Sequence, residues 1–179
     1  MYATISADVI SYTLLAETDK RLLENSVQQL LHELTAKYRN YDFYGRLVQG
    51  DYLECAMGNP AIALRIALMI KSFVKSLEFK SSGKQKKLKH FYEHGVRLAL
   101  AVAPLTKLDP DNGIIDGEAI YSSGRIIKNY STSDKKRVVI KKTMFFTSTD
   151  EILQHQMGAI FSLLDIIISK CSAKQCEVV

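Results

Sequence analysis

The apolar positions along this chain change period several times, and each change marks an element. Tyr2–Val9 is dense in β-forming side chains and carries Asp8 near its end, which predicts a first strand delivering a carboxylate to its C-terminal edge. From Thr18 to Tyr38 the residues Leu22, Leu23, Val27, Leu30, Leu31 and Leu34 recur at helical spacing, with Thr18 as the expected cap. Phe43–Val48 and Tyr52–Met57 are strand-like runs on either side of Gln49-Gly50-Asp51, a sequence suited to a tight hairpin turn. Pro60 stands where the first turn of a helix tolerates it, and Ile62, Ile66, Met69, Ile70, Phe73 and Leu77 form the expected buried face of that helix.

The periodicity stops at Lys80–His90, where Lys84, Lys86, Lys87 and Lys89 surround Gly83, and the segment reads as a solvated connection. Val96–Ala103 resumes as an apolar strand. Glu118–Tyr130 predicts a shorter helix, Arg137–Lys142 a strand with an adjoining piece at Met144–Thr147, and Thr149 to about Ser169 a last long helix. The opening order of strand, helix, hairpin, helix and strand is that of a split βαββαβ arrangement with the hairpin at the sheet centre beside the first strand. The expected fold class is therefore α+β and ferredoxin-like, an antiparallel central sheet with helices packed on it. Such a sheet brings Asp8 and Asp51 together.

Composition adds bounds. A chain of 179 residues, 47% hydrophobic and 24% charged, suits one domain with one core. Residues 1–148 hold the sheet, and residues 149–179 form a C-terminal helical part. The net charge of +5 gives a mild attraction for phosphates. Three cysteines, Cys55, Cys171 and Cys176, show no metal-binding spacing and point to a reduced, cytoplasmic setting. The N-terminus lacks the pattern of a signal peptide. The longest apolar stretch, Met157–Ile168, is interrupted by Asp165 and is shorter than the roughly 20 residues of a membrane span, so no membrane association is expected.

Two hard carboxylates side by side, Asp8 and Asp51, suit divalent cations held against a triphosphate. The segment Val9–Thr13, between Asp8 and the first helix, can offer backbone N–H groups to phosphate oxygens. The plainer alternative makes Asp8 and Asp51 a helix-capping and a turn aspartate. His90 and His94 share a helical face only if their segment is helical, which Gly95 and the charge pattern argue against, so no zinc site is expected. Hydrolase and dehydrogenase motifs do not occur.

Several motifs carry a resemblance. Asp8-Val9-Ile10-Ser11-Tyr12-Thr13 resembles the first motif of class III nucleotide cyclases, and Gly50-Asp51 the second. Gly95-Val96-Arg97-Leu98-Ala99-Leu100 is similar to a later strand of that family, and Gly117-Glu118-Ala119-Ile120 through Arg125 to the helix bearing its transition-state residues. The likeness spans Tyr2 to Thr147. It implies that Asp8 and Asp51 bind Mg²⁺ or Mn²⁺, that Ile10, Ser11, Tyr12 and Thr13 contact a nucleoside triphosphate, and that the chain is a homodimer. Arg125 matches the arginine that steadies the transferring phosphate across the dimer. Tyr121 stands where the family has asparagine, and the purine-recognising lysine is missing, with Leu47 in its place and Arg46 beside it.

The chain also resembles SatD-like bacterial proteins, through Gly50-Asp51 and the run Gly117 to Arg125. In such chains the last helix leads into a helix-turn-helix, and Ser172-Ala173-Lys174-Gln175-Cys176-Glu177 looks like its start. DNA contact is then expected only through a part not included here. Three functions follow as expectations: a nucleotide- and metal-binding sensor domain of a cytoplasmic regulator, an active nucleotidyl cyclase of unusual base preference, or a ligand-free dimerisation module.

Overall fold

Tyr2–Val9 forms strand β1, in which both sets of alternating side chains are covered, because Ala3, Ile5 and Ala7 on one side and Thr4 and Ser6 on the other are fully buried. The structure is a computed structural model that describes residues 1–80, 88–130 and 140–177. Helix α1 follows at Glu17–Lys37, then β2 at Tyr44–Gln49, β3 at Tyr52–Met57 and α2 at Ala63–Ser76. Next come α3 at Lys89–His94, β4 at Val96–Ala103, a small hairpin of β5 at Lys107–Asp109 and β6 at Ile114–Asp116, and α4 at Glu118–Tyr130. The chain closes with β7 at Met144–Ser148, α5 at Glu151–Lys170 and α6 at Ala173–Cys176.

The sheet order is β2-β3-β1-β4-β7. Its first four strands are antiparallel to their neighbours, which is the expected ferredoxin-like arrangement within an α+β fold. Two features differ from expectation. Of the two hairpin strands only β3 lies beside β1, while β2 is an edge strand with half-exposed side chains, since each side of β3 can pair only once. Strand β7 pairs with β4 in parallel, which the intervening α4 crossover allows, so the sheet is mixed.

The main core lies on the face covered by α1, α2, α3 and α5, and it includes Ile5, Leu31, Ile66, Phe91 and Phe161. The opposite face carries α4, with Ile127 packed against Ala99 and Phe145, and Ile120 against Ala56 and Ile115. Helix α1 begins at Glu17 rather than at Thr18, and Glu17 and Asp19 place negative charge in its first turn. Leu22 is outside its buried face at 48% exposure.

The face of α2 departs further. Met69 and Phe73 are only partly buried, and Lys71 and Lys75 are fully inside. Lys71 Nζ donates to the Val96 carbonyl and to Thr143 Oγ1, both at 2.6 Å, and lies 3.9 Å from Asp165. Lys75 Nζ donates to the carbonyls of Glu93, Ile168 and Ser169 at 2.7, 2.6 and 2.8 Å, and so caps the C-terminus of α5. Burial pulls the Lys71 ammonium down, with Asp165 pushing it back up.

Lys89–His94 is helical where a loop was expected, and residues 81–87 of that connection lie outside the described residues. Of the strand expected at Arg137–Lys142, residues 137–139 are also outside, and 140–142 are irregular. Thr143 is instead drawn to α5, its N–H donating to Asp165 Oδ2 at 2.6 Å and its hydroxyl to Asp165 Oδ1. By length and composition α5 is apolar enough to cross a membrane, unlike the shorter run inferred above. Its Phe161, Asp165 and Ile168 pack onto the domain, while Leu163 and Ile166 on its outer side are 60% and 55% exposed.

Candidate functional site

Alternation along β1 puts Asp8 on the same side as Thr4 and Ser6, whose hydroxyls meet Ser123 of α4 at 3.3 and 2.8 Å. Asp8 is paired across the sheet with Tyr52 on β3 and Arg97 on β4. Arg97 Nη1 donates to Asp8 Oδ2 at 2.8 Å, and the guanidinium is 2% exposed. The other oxygen, Asp8 Oδ1, is buried and meets no hydrogen-bond donor among the described residues. Burial pushes the Asp8 carboxyl up to about 6, against the pull of Arg97 and with a smaller upward push from Asp51.

Asp51 reaches this place through the β2–β3 turn. Gly50 has φ +58, and a Cβ there would stand 2.5 Å from the Tyr12 hydroxyl, so the turn closes against Tyr12 only because residue 50 is glycine. The Val9 N–H donates to the Asp51 carbonyl at 2.9 Å, which ties the turn to the end of β1. Burial raises the Asp51 carboxyl as well.

The connecting loop divides the expected phosphate contacts. Ile10 is buried, and its N–H is taken by the Gly95 carbonyl at 3.0 Å, so it is not available to a ligand. Ser11 is left-handed at φ 61, and a single 3₁₀ turn runs from Tyr12 to Leu14. The N–H groups of Ser11, Tyr12 and Thr13 bond to no other described residue. The Tyr12 phenol donates to Glu24, burial and then that carboxylate push the phenol up, and the Lys20 ammonium lies 5.4 Å from the ring centre. A run of open amides after a left-handed residue is a place where an anion can sit.

Arg46, Tyr121 and Arg125 lie apart from the two aspartates. Arg46 Nε and Nη2 donate to Glu54 Oε2 at 2.9 and 2.6 Å, and Nη1 to the Gly113 carbonyl, so this side chain fastens the β5–β6 hairpin to the edge strand. Tyr121 donates to Asp116, which raises its phenol. Arg125 is exposed on α4 and lines a cleft with Glu54, Ile115, Ile120, Tyr121 and Lys128. Neither Asp8 nor Asp51 lines that cleft.

The sequence reading missed Arg97 as a partner of Asp8. A signal existed, since alternation on the fully buried β4 forces a charge inside at Arg97 and a buried guanidinium needs a carboxylate. The donor set at the end of β1 suits a hard cation: one buried carboxylate oxygen without a partner and a second carboxylate in the adjoining turn.

No family model matches the chain, and no curated protein matches it. Among solved structures the chain is similar to the dimeric guanylyl cyclase domain of the RhoGC fusion protein from the aquatic fungus Blastocladiella emersonii. The identity is 17% over 69% of this chain and 71% of that chain, with a TM-score of 0.47. A likeness at that level carries no functional argument.

Proposed function

We propose that the chain is a cyclase-type sensor domain that binds a nucleoside triphosphate with Mg²⁺ or Mn²⁺, within a cytoplasmic, homodimeric regulator of the SatD-like kind. The observation that carries this reading is the buried, unpartnered Oδ1 of Asp8 beside Asp51 and the open amides of Ser11, Tyr12 and Thr13. A buried carboxylate oxygen without a donor is costly unless a cation meets it. Asp8 and Asp51 would hold the cation, which supplies neutralising charge to the polyphosphate. The three amides orient phosphate oxygens, and Arg97 keeps the Asp8 carboxylate in one orientation.

Two of the remaining candidates are engaged within the chain. Tyr121 is engaged by Asp116, and Arg46 by Glu54 and Gly113. Neither can take a nucleobase or a phosphate without giving up a partner. The exposed Arg125, with Lys128 in the same cleft, favours a second reading as an active nucleotidyl cyclase, in which Arg125 steadies developing charge across a homodimer. The Ser172–Glu177 run forms the capped helix α6, with Cys176 buried against α2. In the regulator reading, DNA contact belongs to a helix-turn-helix beyond this domain.

Thermal unfolding with each nucleoside triphosphate and Mg²⁺ or Mn²⁺ tests the site. Ligand at 100 times its Kd is expected to stabilise the wild type by about 2.7 kcal/mol, and Asp51→Asn and Asp8→Asn to remove the effect. A cyclic product from the stabilising pair selects the enzyme, and unchanged nucleotide selects the sensor. No shift with any nucleotide overturns both and leaves the dimerisation module.

A further inference from the structure

Helix α3 carries three ligating side chains on one side of a single turn and a half: His90, Glu93 and His94, at positions i, i+3 and i+4. One donor atom from each lies within 4.8 Å of the other two. The imidazoles are nearly parallel, at 10°, with ring centres 6.5 Å apart, and a Glu93 carboxylate oxygen lies 3.8 Å from His94 Nε2. A satisfied core histidine would have both ring nitrogens bonded. Here His94 is 8% exposed, and the Nδ1 atoms of both His90 and His94 are buried without a hydrogen-bond partner among the described residues. Both imidazoles thus keep a ring nitrogen without a protein partner, and His94 sets its Nε2 beside the Glu93 carboxylate, so the three side chains converge as potential ligands.

We propose that His90, Glu93 and His94 form a binding site for one borderline divalent transition-metal ion, Zn²⁺ foremost, with solvent completing the coordination. Two imidazoles and a carboxylate from one helix are a donor set for zinc, with metal–ligand bonds of about 2.1 Å that set the donor atoms roughly 3.4 Å apart. The required closure, from within 4.8 Å and so at most about 1.4 Å, is within reach of side-chain torsions, and the 44% exposed Glu93 side chain is the free member. Imidazole donors select Zn²⁺, Ni²⁺ or Co²⁺ over Mg²⁺ and Mn²⁺, so this site is chemically distinct from the Asp8 and Asp51 carboxylates. The scaffold is already fixed: Lys75 binds the Glu93 carbonyl and the end of α5 together, and Gly95 accepts the Ile10 amide immediately after His94. A metal on α3 would therefore brace the entry into β4 next to the Asp8 loop.

Calorimetric titration of the whole chain with Zn²⁺ tests this, with Co²⁺ as the spectroscopic probe. His90→Gln and Glu93→Gln are the variants, because both positions reach solvent and tolerate the change, and circular dichroism checks their folding. Expected is one Zn²⁺ per chain, no competition from Mg²⁺, and a Kd weakened by at least about tenfold in either variant, the loss of even an outer-sphere partner being about 10–100-fold. Bound Co²⁺ should show a tetrahedral spectrum without thiolate charge transfer, and Cys171→Ser should bind like wild type. Equal affinity in the wild type and the His90→Gln and Glu93→Gln variants overturns the proposal. So does binding that disappears in Cys171→Ser.

Discussion

Asp8 holds two opposed demands at one residue. Arg97 favours its ionised form, yet burial outweighs that pull and raises the carboxyl from 3.8 to about 6. An acid with a folded pKa above its unfolded one binds its proton more tightly when folded, so stability falls as pH rises through that interval and the loss is complete above the folded value. In metal-free buffer, Asp8→Asn is expected to flatten the fall between about pH 4 and pH 6. Urea titrations at intervals across the range check this. A wild type whose stability rises more steeply than that of Asp8→Asn through the interval would show that Arg97, not burial, governs Asp8.

At the scale of elements, Asp165 is the charged anchor of α5, beside the Lys75 cap at its C-terminus. Asp165 accepts from the Thr143 amide and hydroxyl and lies beside Lys71, joining α2 and α5 to the residue that leads into β7, all three side chains being buried. Asp165→Ala leaves the Lys71 ammonium without its carboxylate, and a loss of about 3–5 kcal/mol is expected in guanidinium unfolding. The double change Lys71→Met with Asp165→Leu should recover most of it, because a packed apolar pair of similar volume needs no charge compensation. If the double variant is as unstable as Asp165→Ala, the network's hydrogen bonds to Thr143 and Val96 matter more than its charges.

For the whole molecule, the C-terminal helices belong to the same core as the sheet. Phe161 packs against Phe146 with ring centres 5.4 Å apart, and Ile168 and Cys176 enter the cluster that contains Ile5 and Ile70. Lys75 also depends on the last carbonyls of α5 for two of its three acceptors. Residues 1–148 and 149–179 should therefore unfold in one transition, with near- and far-ultraviolet circular dichroism coinciding. A chain ending at Ser148 should not fold. An isolated 1–148 fragment with the unfolding midpoint of the whole chain would show two independent units.

The amino-acid sequence by itself determined most of the elements and the meeting of Asp8 with Asp51. A period of two or 3.6 is set within about ten residues, and a strand followed by a helix and a Gly50 hairpin has few ways to form a sheet. Tertiary structure decided which strand of the hairpin is central, that β7 joins in parallel, and that Lys71 and Lys75 lie inside. Those outcomes depend on partners distant in the chain, such as Asp165 for Lys71, which no local pattern contains. The hairpin of β5 and β6 escaped because three-residue strands are too short to show alternation. The helical turn at Lys89–His94 escaped for a similar reason, since its charges resemble a loop until Phe91 is seen buried against Phe79. The site followed the same division: adjacency of the carboxylates was legible, whereas the capture of the Ile10 amide by Gly95 and the pairing of Arg97 with one oxygen of Asp8 arise only when β1 and β4 lie side by side.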